Sequence, residues 1–219
     1  MPQGSLSALQ GRILAALAGM EPPWTLTGGA ALAGFYTKHR ATRDLDLFWR
    51  GRSALEDLVD RVQEELVAHG LEVTSIQRAI SFHRLSVRQG TDTCLVDLVA
   101  EAGSSLAPPE RARIEGRDIA IDSRHEILVN KLCTLLGRSE IRDLVDLRAL
   151  LETDGDLDRA LRDAPAKDGG FSPLVLAWCL RGLRVADLAR SYGQSPELAS
   201  RLEAFRDDLV QRLTSGSKP

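Results

Sequence analysis

The sequence predicts an α/β protein of the α+β kind, in which a mixed β-sheet with flanking helices is followed by a helical C-terminal half. Of its 219 residues, 43% are hydrophobic and 27% are charged, which is the composition of an ordinary globular protein with a sizeable core. Apolar residues alternate with period two between residues 71 and 100, and their spacing is helical from residue 124 onward. We therefore expect two domains, residues 1–122 and 123–219.

The chain should begin with a helix and a short strand. Residues 5–20 have helical apolar spacing, and Trp24–Thr27 has the composition of a strand. Gly28-Gly29 interrupts this strand, and helical composition resumes over Ala30–Thr37. The segment predicts a strand, a glycine turn and a helix within about fifteen residues.

A second strand and a longer helix follow. Leu45–Trp49 is predicted to be the strand. A helix is expected over residues 53–69, because Ser53 and Glu56 have the spacing of a capping box.

Three β-rich runs come next, at about residues 71–78, 80–88 and 93–100, and they should be antiparallel neighbours. Pro108-Pro109 opens a basic connection. Asp118–Ile121 is expected to add a short edge strand.

The charge and the cysteines limit the partners and the location of the protein. Lysine and arginine number 28 against 31 acidic residues, with a net charge of -3, so any RNA contact must be local. The three cysteines lie far apart in apolar runs, which indicates reduced core thiols and a cytoplasmic protein. No segment approaches the roughly 20 apolar residues of a membrane span, so no membrane association is expected. The tryptophans are interpreted as core or core-edge anchors rather than base-stacking platforms: Trp24, Trp49 and Trp178.

Asp44 and Asp46 are the first candidates for a catalytic site. Side chains two residues apart in a strand point to the same face, and two close carboxylates repel each other unless a cation neutralises them. Such a pair suits Mg²⁺, which prefers carboxylate oxygen, water and substrate phosphate as ligands. Asp97 is the candidate third ligand, because it lies in the apolar run Cys94–Val99, where an ionised residue is costly unless it is paired or metal-bound.

Gly28 and Gly29 are candidates for phosphate contact. A strand that ends in two glycines and opens a helix presents unpaired backbone N–H groups, with no side chain to block a phosphate. An ordinary turn is the better explanation of a lone glycine pair, so the functional interpretation depends on the aspartates downstream.

Several stretches resemble the nucleotidyltransferase superfamily in its AbiEii/AbiGii toxin branch. Leu26-Thr-Gly-Gly-Ala-Ala-Leu-Ala and His39-Arg-Ala-Thr-Arg-Asp-Leu-Asp-Leu-Phe together resemble the first motif. Lys131–Arg138 resembles the family's helical lysine motif, and Arg142–Leu147 resembles its Arg-Asp-x-x-Asp-Leu motif. The motifs follow one another in the family's order, and the implied fold is that of a nucleotidyltransferase with a helical half that completes the nucleotide cleft.

The resemblance implies a set of catalytic residues and a set of nucleotide ligands. The catalytic residues are Asp44, Asp46, Asp97, Lys131 and Asp143, of which the first three hold the metal. The expected nucleotide ligands are Gly28, Gly29, Arg40, Thr42, Lys131, Arg138, Arg142 and Asp146. Much of the superfamily has Gly-Ser in the glycine turn, and this chain has a second glycine, so backbone contacts would have to suffice.

The charged residues of the helical half have a second interpretation. Lys131 and Arg138 are seven residues apart and Asp143 and Asp146 are three apart, so each pair shares one face of its helix. Lys131, followed by an apolar turn, is predicted to be a phosphate ligand. For Arg142 and Asp146, interhelical salt bridges are nearly as good an explanation as direct chemistry.

The expected reaction transfers a nucleoside monophosphate from an NTP to an acceptor hydroxyl and releases pyrophosphate, with Mg²⁺ or Mn²⁺ as cofactor. The resemblance implies a toxin that acts on the 3′ end of a tRNA and has a cognate antitoxin. One alternative keeps the fold and takes a small antibiotic or a partner protein as the acceptor. Another is a catalytically silent protein that binds a nucleotide or a partner.

Overall fold

The structure, a computed structural model, describes residues 6–138 and 140–215. The chain divides into two compact units, an N-terminal unit, Met1–Ser123, and a C-terminal unit, Arg124–Pro219. The strands lie in the N-terminal unit, and the described part of the C-terminal unit is helical. The predicted α/β class is therefore confirmed.

The N-terminal unit is built on a mixed β-sheet. Its described strands are β1 (Thr25–Thr27), β2 (Asp44–Arg50), β3 (Glu72–Arg78), β4 (Phe82–Gln89), β5 (Asp92–Glu101), β6 (Glu110–Ile114) and β7 (Arg117–Ile121). Their order in the sheet is β3-β4-β5-β2-β1-β7-β6. β1 is parallel to β7 and β2 is parallel to β5, whereas the other neighbours are antiparallel. The predicted antiparallel arrangement of the three strands between residues 71 and 100 is confirmed.

The two faces of the sheet differ in polarity. On β2, Leu45, Leu47 and Trp49 are buried, and the residues between them are only partly buried. This alternation follows from the period of two along a strand. Helices α1 (Ala8–Leu17) and α3 (Leu58–Ala68) contact each other and the sheet. The predicted first helix starts at residue 5, which lies outside the described residues.

The glycine pair begins a helix instead of forming a separate turn before it. Helix α2 (Gly28–Ala31) follows β1 directly and continues into a π-helical turn, Leu32–Tyr36. Gly28 has a φ of 64°, in the left-handed region that favours glycine. The chain can therefore change from strand to helix within one residue.

The predicted capping box at Ser53 and Glu56 is wrong. Glu56 has a φ of 49° and α3 begins only at Leu58. Two contacts explain the difference. The Leu55 backbone N–H donates to the Ile80 carbonyl at 3.0 Å, and the Glu56 carboxylate pairs with Arg52 at 2.5 Å. Tertiary bonding thus overrides the local capping signal.

The predicted edge strand Asp118–Ile121 corresponds to β7, but β7 is not at the edge. It lies between β1 and β6, and β6, which the sequence suggested to be a connection, is the edge strand. Glu115 and Gly116 join β6 to β7 with φ values of 46° and 79°. Two positive φ values in a two-residue loop match the twist of a tight hairpin.

The C-terminal unit consists of helices in its described part. These are α4 (Arg124–Gly137), α5 (Ile141–Thr153), α6 (Leu157–Asp163), α7 (Pro173–Gly182), α8 (Val185–Ser191) and α9 (Pro196–Ser215). Side-chain caps set two of the helix starts. The Asp156 side chain accepts from the Arg159 N–H before α6, and the Ser172 side chain accepts from the Val175 N–H before α7.

The tryptophans differ in burial. Trp24 and Trp49 are buried, and their indole N–H groups donate to backbone carbonyls at 2.8 and 3.0 Å. Trp178, however, is 75% exposed, so the prediction that it anchors the core is wrong. It lies on the solvent face of α7, whose buried face is formed by other residues: Leu176, Ala177 and Leu180.

The cysteines are all free thiols, and Cys94 is buried. Burial raises the pKa of the Cys94 thiol to about 12 and that of Cys133 to about 11. No helix in the described part of the chain is long and apolar enough to cross a membrane.

Candidate active site

A row of charged side chains crosses one face of the sheet in the N-terminal unit. Strand register places Arg84 on β4 opposite Asp97 on β5, and Asp97 opposite Asp46 on β2. Side chains at paired positions of neighbouring strands share a face of the sheet. Asp44 lies two residues before Asp46 on β2 and therefore shares this face. We refer to these four residues as the charged row.

Asp44 is oriented by the segment that precedes β2. Thr42 Oγ1 donates a hydrogen bond to Asp44 Oδ1 at 3.0 Å. The buried Gln10 side chain in turn donates to the Thr42 carbonyl at 3.3 Å. The structure thus places the hydroxyl of Thr42, a predicted nucleotide ligand, on a carboxylate of the charged row.

The glycine pair lies close against charged side chains. A Cβ at Gly28 would overlap the Asp46 carboxylate, and a Cβ at Gly29 would overlap the Arg40 guanidinium. At Gly28 the short Asp46 side chain would have to shift, and this position also needs glycine for its positive φ, whereas at Gly29 only the end of the flexible Arg40 side chain would have to move. In this arrangement the Arg40 guanidinium lies where the side chain of a serine at position 29 would begin.

Arg84 is a site residue that the sequence analysis missed. Its Nε donates to Asp97 Oδ1 at 2.7 Å and its Nη2 to Oδ2 at 2.6 Å, a two-pronged ion pair. The hydrogen bond to Asp97 raises the pKa of Arg84, and the negative charges of Asp97, Asp44 and Asp46 raise it further.

The signal that could have revealed Arg84 lies in the hairpin between β4 and β5. Gln89 pairs with Asp92 across a two-residue loop that contains Gly90. A tight loop fixes the register of the strands it joins. Counting back from this loop places Arg84 opposite Asp97.

The charged row fits a divalent cation in part. Asp44 and Asp46 supply carboxylate oxygens from one face of β2, which is the donor chemistry that Mg²⁺ and Mn²⁺ prefer. Asp97 does not fit as a third ligand in this arrangement, because both of its oxygens accept from Arg84. Over residues 6–138 and 140–215, no three His, Cys, Asp or Glu side chains converge in an arrangement that could hold a metal ion.

A buried charged cluster joins α4 to α5 in the C-terminal unit. Lys131 Nζ lies 2.7 Å from Asp143 Oδ1 and 2.8 Å from Asp146 Oδ2. Arg138 adds contacts to both oxygens of Asp143, at 2.7 and 3.0 Å. Lys131, Asp143 and Asp146 are all buried. The interhelical salt bridges considered for Asp146 are therefore present, and they include Lys131.

Burial and charge act in opposite directions on this cluster. Burial alone would lower the pKa of Lys131, but Asp146 and Asp143 raise it above its usual value. Burial alone would raise the pKa of Asp143, but Lys131 and Arg138 lower it. Arg142 donates to Glu140 at 3.2 Å.

Fold and site together define a class of protein. A mixed sheet carries two carboxylates on one strand and a third on the parallel neighbour, and a glycine-led helix approaches the second carboxylate. This arrangement characterises a nucleotidyltransferase.

Comparison with known families identifies the chain more closely. The family described as nucleotidyl transferase AbiEii toxin, type IV toxin–antitoxin system, matches residues 12–215. The chain therefore belongs to the AbiEii family of nucleotidyltransferase toxins. No curated protein sequence matches it.

Solved structures share the fold. JHP933 from Helicobacter pylori has a TM-score of 0.54 and 21% sequence identity, and the match covers 97% of each chain. The nucleotidyltransferase toxin MenT4 (Rv2826c) from Mycobacterium tuberculosis H37Rv has a TM-score of 0.63 and 16% identity, over 92% of this chain and 81% of that one. The antibiotic-resistance factor ANT(2'')-Ia has a TM-score of 0.51 and 15% identity, over 74% and 90% of the two chains. At these identities the likeness shows the fold alone.

Proposed function

We propose that this nucleotidyltransferase transfers a nucleoside monophosphate from an NTP to a hydroxyl at the 3′ end of a tRNA, with a divalent cation held by Asp44 and Asp46. The observation that carries the proposal is the contact of Gly28 with Asp46. The backbone after β1 approaches this carboxylate so closely that no Cβ would fit. A triphosphate bound beside that backbone would lie next to the carboxylates that hold its cation.

The reaction forms a bond between the acceptor oxygen and the α-phosphorus and breaks the bond from the α-phosphorus to the bridging oxygen. Pyrophosphate leaves, and the hydroxyl proton passes to solvent. Mg²⁺, when bound, neutralises charge on the triphosphate. Thr42 holds the Asp44 carboxylate in place, and Arg40, beside Gly29, supplies a positive charge for the phosphates. The same proposal includes the predicted nucleotide contacts of the C-terminal unit, by Lys131, Arg138, Arg142, Asp143 and Asp146.

An RNA acceptor is supported by a groove in the C-terminal unit. The groove has a volume of about 550 Å³, and its lining includes Trp178, Arg138 and Arg181. An exposed aromatic ring beside arginines is suited to stack a base and to contact the adjoining phosphates of a single strand. The net charge of the whole chain is negative, so a local site of this kind is what an RNA acceptor requires. The family description as a type IV toxin further supports a cognate antitoxin as a partner.

The test is a transfer assay with each α-labelled NTP, Mg²⁺ and total tRNA. We expect wild type to label tRNA and Asp44→Ala to abolish labelling. Asp57→Ala is the matched control, because the Asp57 side chain is 68% exposed and pairs with Arg61 on the surface; this variant should label normally. Trp178→Ala should raise the KM for tRNA without changing the KM for NTP.

Two outcomes would contradict the proposal. If wild type labels no acceptor, or Asp44→Ala labels as well as wild type, the assigned reaction or site is wrong. Parallel reactions with a hydroxylated antibiotic and with a cell protein extract separate the alternative acceptors. NTP binding without turnover would favour the catalytically silent alternative.

A further inference from the structure

Asp97 is the most buried carboxylate of the charged row. Its side chain is 8% exposed, and both of its oxygens accept hydrogen bonds from the Arg84 guanidinium. A planar guanidinium that meets a carboxylate through two parallel N–H groups occupies the side of the carboxylate on which a metal would bind. Arg84 therefore stands where a ligand bond from Asp97 to a cation would form.

Arg84 does not form a fully buried ion pair. Its side chain is 36% exposed, and its guanidinium lies 5.7 Å from the centroid of the Phe82 ring. The strand register fixes it beside the acidic row, because β4 pairs with β5 along its whole length. The Arg84 guanidinium is thus held at the charged row and remains partly accessible to solvent.

The net charge of the charged row indicates how many divalent cations it can bind. Three aspartates and one arginine leave two negative charges, which match one divalent cation. A second divalent cation at Asp97 would lie close to the guanidinium, and two like charges at such a distance disfavour each other.

We infer that Arg84 is a built-in cationic partner of Asp97, so that the charged row binds a single divalent cation, on Asp44 and Asp46. This inference rests on the proposed function, which places a cation at these two residues. It replaces the predicted metal role of Asp97 with a positioning role: Asp97 holds Arg84 at the site, and Arg84 supplies the positive charge that a second cation would otherwise supply.

The test counts the bound cations directly. Purified full-length protein is titrated with Mn²⁺, and the free ion is measured by electron paramagnetic resonance. Wild type should bind one Mn²⁺ per chain, and Asp44→Ala should bind none. Arg84→Gln releases Asp97 and should bind two, whereas the double variant Arg84→Gln/Asp97→Asn should bind one again.

Two further variants separate charge from folding. Arg84→Lys keeps the positive charge and should still bind one Mn²⁺. Arg88→Gln alters a neighbouring arginine of β4 whose side chain is 56% exposed and pairs with Glu72, so its count should equal that of wild type. Circular dichroism of each variant confirms that the protein is folded before the ions are counted.

The inference is overturned if wild type binds two Mn²⁺ or none, or if folded Arg84→Gln still binds one. The transfer assay reports on the proposed function separately. Transfer by a wild-type protein that binds two Mn²⁺ would refute the role of Arg84 alone. One bound Mn²⁺ with no transfer to any acceptor would refute the proposed function and leave the cation count intact.

Discussion

Lys131 is expected to stabilise the C-terminal unit, whatever its role towards a nucleotide. Its ammonium group bridges Asp143 at 2.7 Å and Asp146 at 2.8 Å, and the two carboxylates are 1% and 0% exposed. Lys131→Met removes the ammonium and leaves these charges in the interior. Asp143 keeps its contacts with Arg138. Removing one partner of a buried ion pair costs about 3–5 kcal/mol.

Urea unfolding followed by circular dichroism measures this loss. For an m value of about 2 kcal/mol/M, the midpoint should fall by about 2 M. Arg148→Met is the matched control on α5, because Arg148 and Glu152 form a partly exposed pair at 2.7 Å and such pairs contribute at most about 1 kcal/mol. A Lys131→Met variant as stable as this control would refute the stabilising role. If such a stable Lys131→Met variant had lost transfer activity, the loss would indicate that Lys131 contacts a phosphate of the nucleotide.

Three other predictions concern the N-terminal unit and the tryptophans. Gly28→Ala should destabilise the protein more than Gly51→Ala, measured by urea unfolding. Both glycines have positive φ, which costs an alanine about 1–2 kcal/mol, but only Gly28 has a carboxylate in the path of the new Cβ; equal losses would contradict this. Burial lowers the pKa of His83 in the folded protein, and the charge of a nearby arginine lowers it further. The stabilising contribution of the neutral His83 side chain is therefore complete above pH 6.5 and is lost as the pH falls through the folded-state pKa. Wild type should therefore lose more stability than His83→Gln between pH 7 and pH 5, and parallel curves would rule this out. Trp49→Ala should cost about 3–5 kcal/mol, whereas Trp178→Ala should stay within about 0.5 kcal/mol of wild type, and a large loss at Trp178 would show that its surface is covered.

Hydrophobic periodicity and β-rich composition were sufficient to predict the strands between residues 71 and 100, but they missed β6 and did not show where each element begins. β4 and β5 were found because buried residues recur along them with a period near two, and β3, which is largely exposed, was found from its β-rich composition. Helix α3 begins five residues later than predicted, at Leu58 instead of residue 53, because the Leu55 N–H bonds to the Ile80 carbonyl. A contact between residues 25 apart in the chain leaves no trace in a local capping pattern.

In the candidate site, too, local sequence patterns predicted some residues, whereas the places of others depend on contacts between segments distant in the chain. Asp44 and Asp46 were identifiable because their spacing along one strand fixes their common face. The place of Asp97 beside Asp46 depends on the parallel pairing of β2 with β5, which periodicity does not show. Arg84 was missed because a positive residue at a half-buried strand position is ordinary until its partner is known. Trp178 was misassigned because composition does not tell which face of α7 is covered.

Gly29 and Arg40 are expected to depend on each other. A serine at position 29, as in much of the superfamily, would place its Cβ against the Arg40 guanidinium, so Arg40 would have to move, at less than the about 1–3 kcal/mol that overpacking a core costs. Arg40→Ala should remove that conflict, so the double variant should be more stable than the sum of the two single losses allows. Urea unfolding of the four members of this cycle gives the coupling, and additivity within about 0.5 kcal/mol would show that the two positions are independent. A measured coupling would show that the Arg40 guanidinium occupies the space that a serine side chain at position 29 would need, so that the second glycine and Arg40 form one feature of this chain.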